Sequence, residues 1–441
     1  MFKTLVNAFK VKEIRSKLLF TLLMLVIIRI GSLIPIPGVN KAVLANLFTG
    51  GEFNVVNALT GGALANATIF SLSISPYITS SIVMQLLTIA IPKLEEMQKD
   101  GEDGKKKIAS ITRYVTVVLA LIQSVAMVIG FGNQGLIVGY STMSVGEKIF
   151  AAALMVSVLV AGSTLLMWIG ERITEKGVGN GISIVLIINI ISTMPADFVS
   201  LYHLFIKDKE VLKAAIAIVV ILLIIVGMVV FTILLCGGER KIPVQYSKKI
   251  QGRKTYGGNT SHIPVKVNTA GVIPVIFAQS LLSVPMIIAS FAGVDYKTVG
   301  GKILLGLQTS SWFNPDDMIY TLGLIVYIGL IFFFAYFYTS ITFNPLEIAN
   351  NMKKSGGFIP GIRPGKPTAD YLTKVVNKMV VIGAVGLIIV AIIPIVCSGL
   401  FKANVSFGGT SIIIIVGVVI ETIRQIESQL VVRDYKGFLN D

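Results

Sequence analysis

The sequence predicts an all-α, polytopic membrane protein with ten spans in two inverted five-helix halves and a re-entrant plug helix. Three observations carry that prediction. Of the 441 residues 54% are hydrophobic and only 14% are charged, with a mean hydropathy of +0.82, far from the roughly 25% charge of soluble domains. Apolar stretches long enough for the ~30 Å hydrocarbon layer recur ten times. Lysine and arginine are divided unequally: 29 of 38 lie in the two ends and the even-numbered connections, eight in the five odd-numbered connections, and Arg29 lies inside a span. Cationic loops stay on the cytoplasmic side, so both termini are expected there. This orientation signal accounts for the formal charge of +15 without a nucleic-acid partner.

In chain order, the basic lead-in "MFKTLVNAFKVKEIRSK" has Phe2, Leu5, Val6 and Phe9 at helical spacing. It is expected to lie along the inner surface and to run into a span rather than to be a cleavable signal peptide. Span 1 covers 18–36 and contains Arg29, expected to snorkel or to pack against its own bundle. Residues 53–60, "FNVVNALT", reach only about 12 Å at ~1.5 Å per residue and cannot cross. They are expected to re-enter, with Gly61 and Gly62 breaking the chain where it lines a cavity. Span 2, 69–91, carries Ser71, Ser73, Ser75, Thr79, Ser80 and Ser81 around Pro76. That pattern fits close packing or a wall that faces something other than lipid.

Spans 3 and 4 cover 114–131 and 149–169. "GVGNGIS" at 177–183 follows a span rather than a strand and is read as a turn, not a dinucleotide loop. Span 5, 182–196, leads to the polar outer connection "SLYHLFIKDKEVLK", and span 6 covers 214–236. Residues 239–266 hold seven cations against the single acid Glu239, and "TYGGNTSHIP" supplies turn formers, which suits a protruding hairpin. Spans 7 and 8 cover 270–292 and 318–343. "GIRPGKPT" at 361–368 lacks the glycine spacing and the Ser or Thr of a phosphate loop. Spans 9 and 10 cover 379–397 and 411–420 with its flanks. Five spans per half place the second half in the opposite orientation, so the halves are 1–205, with the re-entrant piece, and 206–441, with large cytoplasmic connections at 237–269 and 344–378.

An ion-coupled transporter, a membrane enzyme and a passive conduit driven by another protein compete for this architecture. A coupled transporter keeps ionisable groups at membrane depth, and the sequence places none in spans 2–9. No enzyme motif, catalytic residue, metal set or cofactor site emerges. Cys236 and Cys397 fall near opposite faces, as do His203 and His262, so neither pair builds a site. The conduit is favoured, with an inverted-repeat secondary transporter of a small molecule as the alternative.

Five stretches, "GGALANATIFSLSISPYITSSIVMQLL", "WIGERITEKGVGNGISI", "KVNTAGVIPVIFAQS", "FNPLEIANNMKKSGGFIPGIRPG" and "FGGTSIIIIV", together resemble the SecY family, in order along nearly the whole chain. The resemblance implies a protein-conducting channel of the bacterial plasma membrane. It would pass unfolded, signal-peptide-bearing chains and release hydrophobic segments sideways into lipid. It implies a pore ring of Ile74, Ile78, Ile182, Leu186, Ile276 and Ile414, all aliphatic here. Such a collar dewets when empty and makes no directional bond to a passing peptide. It implies that the re-entrant piece is a plug at 53–67, containing Phe53, Val55, Val56, Leu59, Gly61, Gly62 and Leu64, and a lateral gate between spans 2 and 3 on one side and 7 and 8 on the other, with Thr79, Ser80, Ser81, Gln123, Gln279 and Ser280 in the seam. Arg240, Lys248, Lys249, Arg253, Lys254 and Arg363 would form the docking surface for ribosomal RNA phosphates and the motor ATPase SecA. SecE, SecG, nascent secretory and membrane proteins, membrane lipids and a SecDF/YidC association complete the implied partners. Ser73 departs from the family's frequent glycine.

Overall fold

The structure is a computed structural model that describes residues 8–41, 60–132, 136–139, 143–207, 209–246, 249–251, 254–256, 260–292, 299–307, 312, 321–401 and 409–437. The helices are α1 Lys12–Gly31, α2 Ser75–Ala90, α3 Pro92–Lys99, α4 Gly101–Gly132, α5 Val145–Lys176, α6 Gly181–Phe205, α7 Val211–Gly237, α8 Ile273–Ala292, α9 Val299–Gly306, α10 Thr321–Thr342, α11 Pro345–Lys354, α12 Lys366–Phe401 and α13 Gly409–Gly437. Each of the ten expected spans holds one of them. Among the described residues six helical stretches are long and apolar enough to cross a membrane, or seven if α2 and α3, which meet at 101°, count as one span.

The span ends differ from expectation for local reasons. Apolar residues run to Ile36, but α1 stops at Gly31, ahead of Pro35 and Pro37, which cannot donate to a helix. Ser32 Oγ then donates to the Ile28 carbonyl at 2.8 Å. Span 2 loses its front: 61–74 run as successive turns and the helix begins at Ser75 with Pro76 in its first turn. Span 5 grows instead, because α6 continues through Pro195 to Phe205 and leaves only 206–210 before α7. The connections at 237–269 and 344–378 are largely folded. They hold α11, the first turns of α12 and five short strands, including the hairpin expected in 239–266, within a mostly helical fold.

The strands are β1 Glu239–Tyr246, β2 Lys249–Gln251, β3 Lys254–Tyr256, β4 Thr260–Lys266 and β5 Gly357–Phe358. β1 pairs antiparallel with β4 from Glu239 opposite Lys266 to Gln245 opposite Thr260, and β5 joins β1 through Gln245 opposite Phe358. Strand alternation turns Ile242 and Val244 of β1 inward. With Val265 they join Met352, Leu372, Val375, Val376 and Met379 in one apolar cluster, which seats the sheet on α11 and the extension of α12. β2 and β3 form a second, smaller two-stranded sheet.

Helix packing sets up the candidate site. α4 contacts α2, α5 and α8; α6 contacts α5 and α13; α10 packs between α8 and α12. Among the described helices α7 leaves much of its surface uncovered, with Leu222, Leu223, Val226, Val230 and Leu234 exposed. Such a face is at home in hydrocarbon.

Candidate pore, plug and docking surface

The six residues expected to form the collar come from four helices. Ile74 lies at the N-cap of α2, and its carbonyl accepts from Ile78 N one turn on, at 3.1 Å. Ile182 and Leu186 are likewise four apart at the start of α6, where Asn180 Oδ1 accepts from Ile182 N at 3.1 Å and Ser183 N at 3.3 Å. Four-residue spacing puts each pair on one helix face. Ile276 and Ile414 occupy the first two turns of α8 and α13. All six meet in one apolar cluster: Ile74, Leu186 and Ile414 are buried, at 0%, 5% and 2% exposure, while Ile78, Ile182 and Ile276 pack against them half-buried. Leu166, Ile169 and Ile173 of α5 back the group.

The described end of the stretch expected to form the plug meets this cluster at Ala63, in the chain entering α2. Phe53, Val55, Val56 and Leu59 lie outside the described residues. Gly61 and Gly62 have φ of +68° and +79°, a region that side chains disfavour, and this explains the glycine pair. Ala63, fully buried, belongs to the collar cluster itself. Leu64 instead packs on a second cluster with Met127, Val128, Met155 and Leu159. The following turn is pinned by Thr68 Oγ1 and Ser71 Oγ, which donate to the Ala63 carbonyl at 3.2 and 3.1 Å. Ile36 N donates to Ala67 O and Ile69 N to Ile34 O. α5 approaches so closely that a side chain at Gly162 would collide with the Ile69 carbonyl.

Sequence reasoning missed Asn189 and Ser192 beside this turn. Of the two expectations for Arg29, packing within its own bundle is the one that fits: its Nη1 is buried without a hydrogen-bond partner among the described residues, and a Cβ on Gly61 would lie 2.9 Å from it. Asn189 and Ser192 of α6 line the same turn, and Asn189 Nδ2 donates to Ser73 Oγ at 3.1 Å. An asparagine and a serine inside an otherwise apolar span were the available signal. The longer α6 also brings Asp197, one residue beyond the expected end of span 5, into the helix. It is the one buried charged side chain among the described residues, about 16 Å along the helix from Leu186 and therefore off the collar.

The seam residues divide. Ser80, completely buried, donates to the Thr112 carbonyl of α4 at 2.8 Å, which ties the two helices on one side of the seam together. Thr79 donates to Ser75 O in its own helix, and Ser81 Oγ accepts from Gln85 Nε2 at 3.5 Å. Arg113 Nε to Glu171 Oε1, 2.7 Å, ties α4 to α5. Gln123 on α4 and Gln279 and Ser280 on α8 are half-buried on two helices that touch. Ile82 of α2 packs with the cluster containing Phe277 and Ala278 of α8.

Of the docking cations, Arg240 is exposed on β1, and Lys249 and Lys254 fall within β2 and β3, where Gln251 pairs with Lys254. Lys248 and Arg253 lie outside the described residues. Arg363 is exposed in the turn after β5, where its carbonyl accepts from Thr368 Oγ1 at 2.8 Å. Pairing of β1 with β5 brings the segment that leads into the Arg363 turn beside the β1–β4 hairpin, while Lys249 and Lys254 lie on the separate β2–β3 pair.

The SecY family model matches residues 68–423. The protein translocase subunit SecY of Halalkalibacterium halodurans is 43% identical over 446 aligned residues, and that of Streptomyces coelicolor 44% over 454, each comparison covering both chains completely. A solved protein-conducting channel superposes with a TM-score of 0.64 at 18% identity, covering 95% of this chain and 93% of that one. With its fold and its whole length in agreement with these relatives, the chain belongs to the SecY family.

Proposed function

We propose that the protein is the channel through which unfolded, signal-peptide-bearing chains cross the plasma membrane and from which hydrophobic segments leave sideways into lipid. The observation that carries this reading is the meeting of Ile74, Ile78, Ile182, Leu186, Ile276 and Ile414 in one cluster that also takes in Ala63 of the plug stretch. An aliphatic constriction excludes hydrated ions at rest by dewetting, yet offers a passing backbone no hydrogen bonds to hold it. Three of the six side chains keep part of their surface open, as a lining requires. The plug, residues 53–67, adds a second layer to the seal.

The halves 1–205 and 206–441 part at the seam of α2 and α4 against α8 and α10. Cross-ties from Ser80 to α4 and from Arg113 to α5 favour movement of α2, α4 and α5 as one unit, so opening separates α4 from α8. The termini and the basic hairpin face the cytoplasm by the distribution of lysine and arginine. There Arg240, Lys248, Lys249, Arg253, Lys254 and Arg363 receive the ribosome or SecA, while SecE and SecG cover lipid-side surfaces. The channel itself performs no chemistry; the partner supplies the energy. A coupled transporter would need an ionisable group at its site, and the collar offers only aliphatic side chains. The test is reconstitution with SecE, SecG and SecA in proteoliposomes. A signal-bearing precursor becomes resistant to external protease in an ATP-dependent way if the reading holds, and stays fully digestible if it does not.

A further inference from the structure

Ser73 has a φ of +51°, a left-handed conformation that costs a residue with a side chain free energy. It immediately precedes Ile74, so the backbone turn at Ser73 sets where Ile74 points. Besides its own N–H, which donates to the Phe70 carbonyl at 2.8 Å, two hydrogen bonds from neighbouring helices help to hold it there. Ser163 Oγ of α5 donates to the Ser73 carbonyl at 3.1 Å, and Asn189 Nδ2 of α6 donates to the Ser73 hydroxyl at 3.1 Å. Both Ser73 and Asn189 are buried, at 2% exposure each. One helical turn on, Ser192 Oγ lies 3.3 Å from the Gly61 carbonyl and 2.6 Å from the Asn189 carbonyl, so its one proton serves both. The Gly61 turn is boxed in by Asn189 and Ser192, for a Cβ there would lie 3.0 Å from Asn189 Cα and from Ser192 Oγ, with Arg29 Nη1 on the remaining side.

We infer that Asn189, with Ser192 beside it, is a positioning latch that couples the plug to the collar: one helix face holds the strained turn that aims Ile74 and the turn that seats the plug. Leu186 lies on the same helix, one turn before Asn189, so the latch and a collar side chain share one rigid element. Displacing the plug breaks the Ser192 to Gly61 bond and leaves the Ser192 proton to the Asn189 carbonyl alone. Without Asn189, Ser73 keeps the bond from Ser163 to its carbonyl but loses the one to its hydroxyl, so the strained turn is held less firmly, Ile74 shifts and the empty collar stays closed less well. Ser73→Gly removes this dependence, because glycine adopts positive φ without support.

This inference rests on the channel reading above, and resting ion conductance of the purified complex in planar bilayers tests both separately. In Asn189→Leu the conductance rises about fivefold, the effect of removing one buried hydrogen bond. In Ser73→Gly alone it stays near the parent. In the double variant the rise shrinks to less than half. Ser192→Ala, a milder change that retains folding, gives a smaller rise that Ser73→Gly leaves unaltered, since that bond serves the plug. Parental conductance in both Asn189→Leu and Ser192→Ala overturns the latch, as does an Asn189→Leu rise of equal size with and without Ser73→Gly. The collar variant Ile78→Asn with Ile276→Asn, measured alongside, separates the two ideas: if it leaks while the α6 variants do not, the latch alone is wrong. If it too stays tight, the collar assignment fails with it.

Discussion

The collar and the basic sheet are built in opposite ways. The collar draws six side chains from four helices, between Ile74 and Ile414, and each is an ordinary aliphatic residue whose role exists only after the chain has folded. The sheet is local. β1 and β4 lie within 239–266 and pair in simple antiparallel register, and its one distant strand, β5, is only two residues long. On the proposed reading, one region works by excluding water and the other by attracting charge. A substitution in the first should therefore change what happens at rest, and a substitution in the second should change only what happens when a partner arrives.

The strongest way to break that contrast is Ile78→Asn with Ile276→Asn. Each amide keeps water in the constriction, and a polar group that stays solvated offsets ~1–3 kcal/mol of the dewetting barrier. Resting conductance in planar bilayers is expected to rise about tenfold or more, with partner binding unchanged. Next in size, Arg363→Glu should abolish most SecA-driven export from membrane vesicles. The side chain lies in a surface turn and makes no ion pair among the described residues, so stability should move by no more than about 0.5 kcal/mol, and resting conductance should stay parental. Normal SecA-dependent transport would mean the docking surface lies elsewhere.

Lys249→Glu with Lys254→Glu is expected to weaken ribosome binding and to flatten its dependence on salt, by roughly one unit of log–log slope for each phosphate no longer neutralised. Binding that weakens equally at all salt concentrations would point to an apolar interaction instead. The smallest effect belongs to the seam. Gln123→Leu or Gln279→Leu should favour the closed seam and shift the hydrophobicity that a signal peptide needs. Weak signal peptides should respond and strong ones should not, as read by processing in vesicles.

The same contrast explains what the sequence made legible. Spans were visible because hydropathy is summed over many neighbouring residues, and all ten hold helices. Their ends were not, because proline and glycine chemistry overrides hydropathy locally. Apolar residues continue past Gly31, yet the helix stops before Pro35, and the front of span 2 is a run of turns through Ser73. Span 5 was expected to end at 196, but α6 passes through Pro195 and carries Asp197 and His203 with it. The hairpin was legible from its turn formers, whereas its pairing with the segment that leads into the Arg363 turn was not, since β5 is two residues long and lies more than a hundred positions away. The collar came from family resemblance rather than periodicity. The polar bonds of Asn189 with Ser73 and of Ser192 with Gly61 bridge residues 116 and 131 positions apart, beyond the reach of any local pattern.

The central claim is that the six aliphatic residues line the path of the moving chain, and the most direct measurement is site-specific cross-linking to a stalled substrate. With Cys236 and Cys397 replaced by serine, single cysteines are placed at Ile78, Ile182, Ile276 and Ile414, and at Leu223 on the exposed face of α7. A precursor with one cysteine in its mature part is halted mid-passage by a folded carboxyl-terminal domain, and disulfide formation is scored. Adducts at all four collar positions and none at Leu223 are expected. Adducts at Leu223 with none at the collar would contradict the claim that these residues surround the translocating chain.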